Sequence, residues 1–172
     1  CDDGLTEMQV NLALATRVQQ KLRDAGYQVD LLQEFDERLS DYQALALISI
    51  HNDTCKLLGP EFTGFKVAAA ASNAYPERAT RLRECMIARY GAMTGMTFHE
   101  STVTIDMTNY HTFGEIHPDT TAAIIETGFL GSATDRAMLT QQPDLVANAI
   151  VAGVLCYIRN ENIAQVTATP LP

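Results

Sequence analysis

Residues 122–130 read Ala122-Ala123-Ile124-Ile125-Glu126-Thr127-Gly128-Phe129-Leu130, an apolar run that stops on a carboxylate and then turns on a glycine. An apolar run without polar alternation predicts a strand covered on both faces, the pattern of α/β sheets. Leu45-Ala46-Leu47-Ile48-Ser49-Ile50 is a second such run and ends at His51-Asn52. Weaker strand candidates are Tyr27 to Leu32, Gly64 to Ala71 and Val103 to Met107.

Helical patterns lie between these runs. The first carries Leu5, Met8, Val10, Leu12, Leu14, Val18 and Leu22, opens on Thr6 with Gln9 three positions on, and is closed by Gly26. Ala74 to Ala92, with Pro76 near its start, is the second, and Ala133 to Leu139 the third. The last, Pro143 to Arg159, sets Leu145, Ala149, Ile150, Val154 and Ile158 on one stripe. Strands alternating with helices predict an α/β fold, a three-layer sandwich with a mostly parallel central sheet flanked by helices. We expect one domain over residues 1–160 and a tail or linker over 161–172, where two prolines and no apolar stripe occur.

At 172 residues and 47% hydrophobic content the chain can bury one core, and two domains would be crowded. A formal net charge of -9 excludes a nucleic-acid partner, whose phosphates call for a basic face. Arg78, Arg81, Arg83 and Arg89 are spread around a helix and read as a solvated face. No stretch is long and apolar enough to predict a membrane span.

In an open α/β sheet the loops beyond the carboxyl ends of the strands form the binding crevice. His51 ends one strand there, and by itself reads as an ordinary strand-end histidine. Glu126 ends another, where partial desolvation would raise its pKa toward that of a general base; a helix cap or an ion pair is the plainer reading. Glu7, in the first turn of the opening helix, reads alone as a complement to the helix dipole.

Taken in order, Gly4-Leu5-Thr6-Glu7 heading a helix, Ser49-Ile50-His51-Asn52 and Glu126-Thr127-Gly128-Phe129-Leu130 resemble the zinc-dependent N-acetylmuramoyl-L-alanine amidases. Ala133-Thr134-Asp135-Arg136 with Leu139, and Val146-Ala147-Asn148-Ala149-Ile150, extend the likeness, which runs from Gly4 to Ile158. The resemblance implies that Glu7 and His51 are ligands of a Zn2+ cofactor and that Glu126 is the catalytic glutamate. It also implies a substrate: peptidoglycan, cut at the amide between N-acetylmuramic acid and L-alanine by an extracytoplasmic enzyme of the periplasm, cell wall or medium, here expected to be a monomer. Asn52, His111 and His117 are the candidate substrate contacts.

Members of that family begin with a strand ending in Gly-His, whose histidine is the first zinc ligand; this sequence starts six residues before Glu7. Three readings follow: residues precede Cys1, or one of His99, His111 and His117 substitutes, or the domain binds the wall without cutting it. Gly131-Ser132 stands where the family often has Ser-Asn, a change confined to a turn. The stretch from His51 to the helix near Ala74 is short and shows no long inserted helix of the kind that occludes the site in some family members, which predicts an open, unregulated groove. A zinc exopeptidase of similar architecture is a further alternative. Of the four cysteines, none in CxxC spacing, Cys1 and Cys55 each lie beside a site motif and are the expected disulfide, while Cys85 and Cys156 fall on apolar helix faces and read as buried free thiols.

Overall fold

A computed structural model describes residues 1–165. Helix α1 (Glu7–Asp24) starts at a capping box in which Thr6 accepts from the Gln9 amide and the Gln9 side chain accepts from that of Thr6. It buries Val10, Leu14, Val18 and Leu22, one face at a spacing of four. Three strands follow among the described residues, β1 (Ala46–Asp53), β2 (Lys66–Ala69) and β3 (Thr121–Phe129), arranged β1-β3-β2. Helix α2 (Pro76–Thr94) carries proline in its first turn and ends on Gly95, whose φ of 71° is the left-handed cap that glycine supplies without strain. Short helices α3 (Ile105–Thr108) and α4 (Thr112–Glu115) precede β3, and α5 (Ala133–Gln141) and α6 (Pro143–Ile158) follow it.

Side-chain alternation sorts the strands onto two faces. Ile48, Ile50, Val67 and Ile125 pack into a core with Leu14 of α1, Met86 and Tyr90 of α2, and Ile150, Val151 and Val154 of α6. Leu47, Ala68, Ala70, Ala122 and Ile124 face the other way, against Leu39, Met107, Phe113 and Ile116. The α/β class is as expected: long helices, a sheet, and a second cover of short helices and turns.

The strand detail differs from expectation. β1 and β3 are parallel, but β2, the Gly64–Ala71 candidate, joins β3 antiparallel, so the sheet is mixed. Tyr27 to Leu32 is not a strand: it crosses the sheet edge, sending Val29 to one core and Leu32 to the other, and the Val29 carbonyl is taken by Gln19 and Arg23. Val103 to Met107 instead leads into α3 behind the turn Glu100–Thr102, local bonding that overrides its β-branched composition.

Two further expectations are corrected. Cys85 and Cys156 are not free thiols; α2 and α6 pack side by side, bring the two Cα atoms to 5.7 Å, and are bridged. Close approach there depends on Gly153, since a Cβ at that position would lie 2.7 Å from Met86 Sδ. Cys1 and Cys55 are bridged, as anticipated. Arg89 is not part of a solvated face but 3% exposed, because residues 161–163 fold back over α2. Its guanidinium donates to the carbonyls of Asn162 and Ile163 and pairs with Glu161, and Arg81 donates to the Glu161 carbonyl. The first residues of the expected tail are thus held, and 166–172 lie outside the described residues. No described helix is long and apolar enough to cross a membrane.

Candidate active site

Register places three ionisable side chains in one row. His51 of β1 is the partner of Glu126 of β3, and Glu126 is the partner of Lys66 of β2. Alternation turns all three to the face away from α1, α2 and α6, at the carboxyl end of β1. Asn52, alternating with His51, faces the helices as Ile50 does and is buried, and the register slips between His51 and Asp53. Thr127 closes the gap with one hydroxyl proton, which it gives to Asn52 Oδ1 at 2.7 Å with the His51 carbonyl 3.1 Å from the same oxygen; Tyr90 of α2 in turn donates to the Thr127 carbonyl.

Glu7 enters from the first turn of α1. Its Oε1 lies 2.9 Å from His51 Nδ1 and also accepts from Asn11 Nδ2 at 3.1 Å and the Asn52 amide at 3.3 Å. These donors hold the Glu7 carboxyl below its usual range, His51 first. Burial pulls the His51 imidazole down, but Glu7, with Glu126 and Glu34 beyond it, outweighs burial and leaves it raised. Burial pushes the Glu126 carboxyl up to about 7; Lys66 and His51 oppose this, Asp53 and Glu7 add to it. Glu126 Oε2 is buried with no hydrogen-bond partner, so nothing in the described protein uses that atom. Lys66 is engaged in an ion pair with Asp53 beneath the Phe129 ring.

The other nitrogen of His51, Nε2, is 3.2 Å from the Tyr110 hydroxyl, which donates to Glu34 Oε1 at 3.1 Å. His111 Nε2 reaches the same Glu34 oxygen at 2.9 Å, and its Nδ1 reaches Glu115 at 3.1 Å. Of the residues singled out from sequence, Glu7, His51 and Glu126 come together, and His111 stands beside them through Tyr110. Asn52 is spent inside the protein on Asn11 and Thr127. His117 lies before the first residue of β3, at the far end of the strand from Glu126, and accepts from the Asp119 amide. His99 is bound at both nitrogens, to Thr102 and to the Glu61 carbonyl, and offers no lone pair to this site.

An imidazole and a carboxylate at 2.9 Å are donors that zinc takes, and the unpartnered Glu126 oxygen suits a water beside them. The fit covers two ligand positions. Among the described residues no group of three His, Cys, Asp or Glu side chains could hold a metal.

A family model described as N-acetylmuramoyl-L-alanine amidase matches residues 1–156. The chain belongs to this amidase family. Solved structures agree on the fold. The N-acetylmuramoyl-L-alanine amidase of Clostridium difficile 630 superposes with a TM-score of 0.67 at 20% identity, over 92% of this chain and 87% of that one. The N-acetylmuramyl-L-alanine amidase of Mycobacterium smegmatis gives 0.72 at 19% identity, over 92% and 80%. The catalytic domain of the amidase CwlV from Bacillus (Paenibacillus) polymyxa var. colistinus gives 0.67 at 22% identity, over 91% and 87%. No curated protein matches the chain in sequence. In this amidase-family chain, sequence reading missed Asn11, Lys66, Tyr110 and Glu34. Asn11 stands four residues after Glu7 and was open to a helical-spacing argument; Lys66 and Glu34 carry no local signal, because register and a loop bring them in.

Proposed function

We propose that this member of the amidase family hydrolyses the amide between N-acetylmuramic acid and L-alanine in peptidoglycan, using a zinc ion for which Glu7 and His51 supply two ligands. The observation that carries the reading is the Glu7–His51 pair set beside a buried, unpartnered Glu126 oxygen. A zinc held there acidifies water and polarises a carbonyl. The residues do the rest. Asn11 and the Asn52 amide fix Glu7 through Oε1 and leave Oε2 outside that cluster of donors. Glu126, its carboxyl raised to about 7, takes a proton from water at Oε2 and returns it to the leaving amine nitrogen. Lys66, tied to Asp53, keeps positive charge next to Glu126 and so limits how far burial neutralises it.

The two disulfides support action in an oxidising compartment outside the cytoplasm. We take the enzyme to work as a monomer on the wall.

The test is a digest of purified muropeptides. Release of intact stem peptides, stopped by a chelator and restored by zinc, is the expected result. Glu126→Gln should cost roughly 10^2- to 10^4-fold in turnover, with the zinc content unchanged. Turnover retained in that variant would refute the role given to Glu126, and release of single terminal amino acids would make the protein an exopeptidase. The incomplete ligand set favours one second reading, a wall-binding module that does not cut; zinc bound at one per chain counts against it.

A further inference from the structure

Beside the site, four rings stand in a row that leads outward. Tyr110 meets His51 edge-on with centroids 5.2 Å apart, His111 follows Tyr110 at 4.4 Å, and Phe35 stacks on His111 at 4.6 Å with only 14° between planes. The outermost ring is 72% exposed although one of its faces lies on His111, so the other face is open to solvent. Phe35 also has a φ of 62°, the left-handed region that a bulky side chain seldom adopts. Carboxylates edge the row: Glu34 Oε1 binds both Tyr110 and His111, and Glu115 Oε1 binds the other nitrogen of His111. Each uses one oxygen, and the second makes no hydrogen bond among the described residues.

Core packing does not account for an exposed phenylalanine clamped flat against a histidine that two carboxylates hold in place. We propose that Phe35, His111 and Tyr110 form a platform for an N-acetylated amino-sugar ring, so that the glycan strand of the substrate lies along this side of the site. The proposal rests on the peptidoglycan reading above for its substrate, and on this geometry for its place. A pyranose offers a face of C–H groups, which the negative face of an aromatic ring attracts, and a rim of hydroxyl and amide N–H donors, which carboxylates accept. The other part of the substrate, the stem peptide, ends in carboxylates. Glu34, Glu115, Glu7 and a chain charge of -9 repel these, so charge favours the uncharged sugar here. Continuity fixes the direction: the platform runs through Tyr110 to His51, placing a bound sugar next to the amide that the row His51–Glu126 would attack.

The experiment titrates the isotopically labelled full chain with a tetramer of β-1,4-linked N-acetylglucosamine, which has no scissile amide, and separately with a free stem tetrapeptide. Backbone resonances of Phe35, Tyr110 and His111 should shift with the sugar and not with the peptide. Phe35→Ala should weaken the sugar roughly tenfold, and Phe35→Tyr, which keeps a ring, should restore binding. Absence of sugar-induced shifts at these residues, equal affinity in Phe35→Ala, or shifts there with the peptide alone would overturn the platform. The same sample is assayed on muropeptides to separate the two claims. Cleavage without sugar shifts removes the platform and leaves the amidase reading; sugar shifts without cleavage remove the amidase reading and leave the platform.

Discussion

One face of the sheet lies under α1, α2 and α6, whose buried side chains interlock with Ile48, Ile50, Val67 and Ile125 and are stapled by Cys85–Cys156. The other lies under α3, α4 and irregular segments that bury a smaller set around Leu39, Met107, Phe113 and Ile116, and this cover carries Glu34, Phe35, Tyr110 and His111. His51, Glu126 and Lys66 point to this second face. The contrast shows a division of labour. Long helices fix the strands, and the strands hold the ionisable row in register. The parts that would meet a substrate sit on loops that a rigid scaffold can position.

That contrast can be broken by experiment, starting with the helical face. Replacing Cys85 and Cys156 together by alanine opens a loop of sequence separation 71 and should cost about 4 kcal/mol in a denaturant titration. A loss below about 1 kcal/mol would mean that the helical layer does not depend on its staple.

On the site face the expectation reverses. Glu126 is a buried carboxyl raised to about 7, so in the metal-free chain it disfavours folding as pH climbs from its unfolded value near 4.5 to 7, and the penalty is constant above that. Glu126→Gln should therefore flatten the fall in stability over this window, gaining on the order of 3 kcal/mol at neutral pH while activity collapses. An identical pH profile in the two proteins would place the glutamate in a wetter setting than the structure shows. Smaller in effect, Gly153→Ala drives a methyl against Met86 between α2 and α6 and should cost about 2 kcal/mol, read as a lower Tm with kcat unchanged. Smallest of all, Ile105→Ser on the loop-covered side, where the side chain is exposed, should change stability by less than about 0.5 kcal/mol. A large loss there would show that this cover depends on its packing as strongly as the helical layer does.

Much of this was legible in the sequence. The runs ending at His51 and Glu126 gave both site strands: β3, central in the sheet and buried along nearly all its length, writes itself as uninterrupted apolar residues, whereas β1, equally apolar in sequence, lies at the sheet edge and is only partly buried. Thr6, Gln9, Pro76 and Pro143 marked helix starts by their own backbone chemistry. Tyr27 to Leu32 misled because its composition suits a strand while the carbonyl at its middle, that of Val29, is claimed by Gln19 and Arg23, which no local pattern announces. The mixed sheet was hidden for a similar reason: the sense of β2 follows from its connections, not from its residues. Of the site, the acids and imidazole that end strands or begin a helix could be read directly. Lys66, Glu34 and Phe35 could not, since each reaches the row through register or through a loop whose path depends on the finished fold.

The strap formed by residues 161–163 has a practical consequence. Because Arg89 and Arg81 clasp it against α2, the strap lies on the side of the molecule that faces away from the His51–Glu126 row. Anchoring the protein to a bead or a sensor surface through a tether at Asn162, an exposed residue of the strap, should leave the crevice pointing into solution, unobstructed by the support.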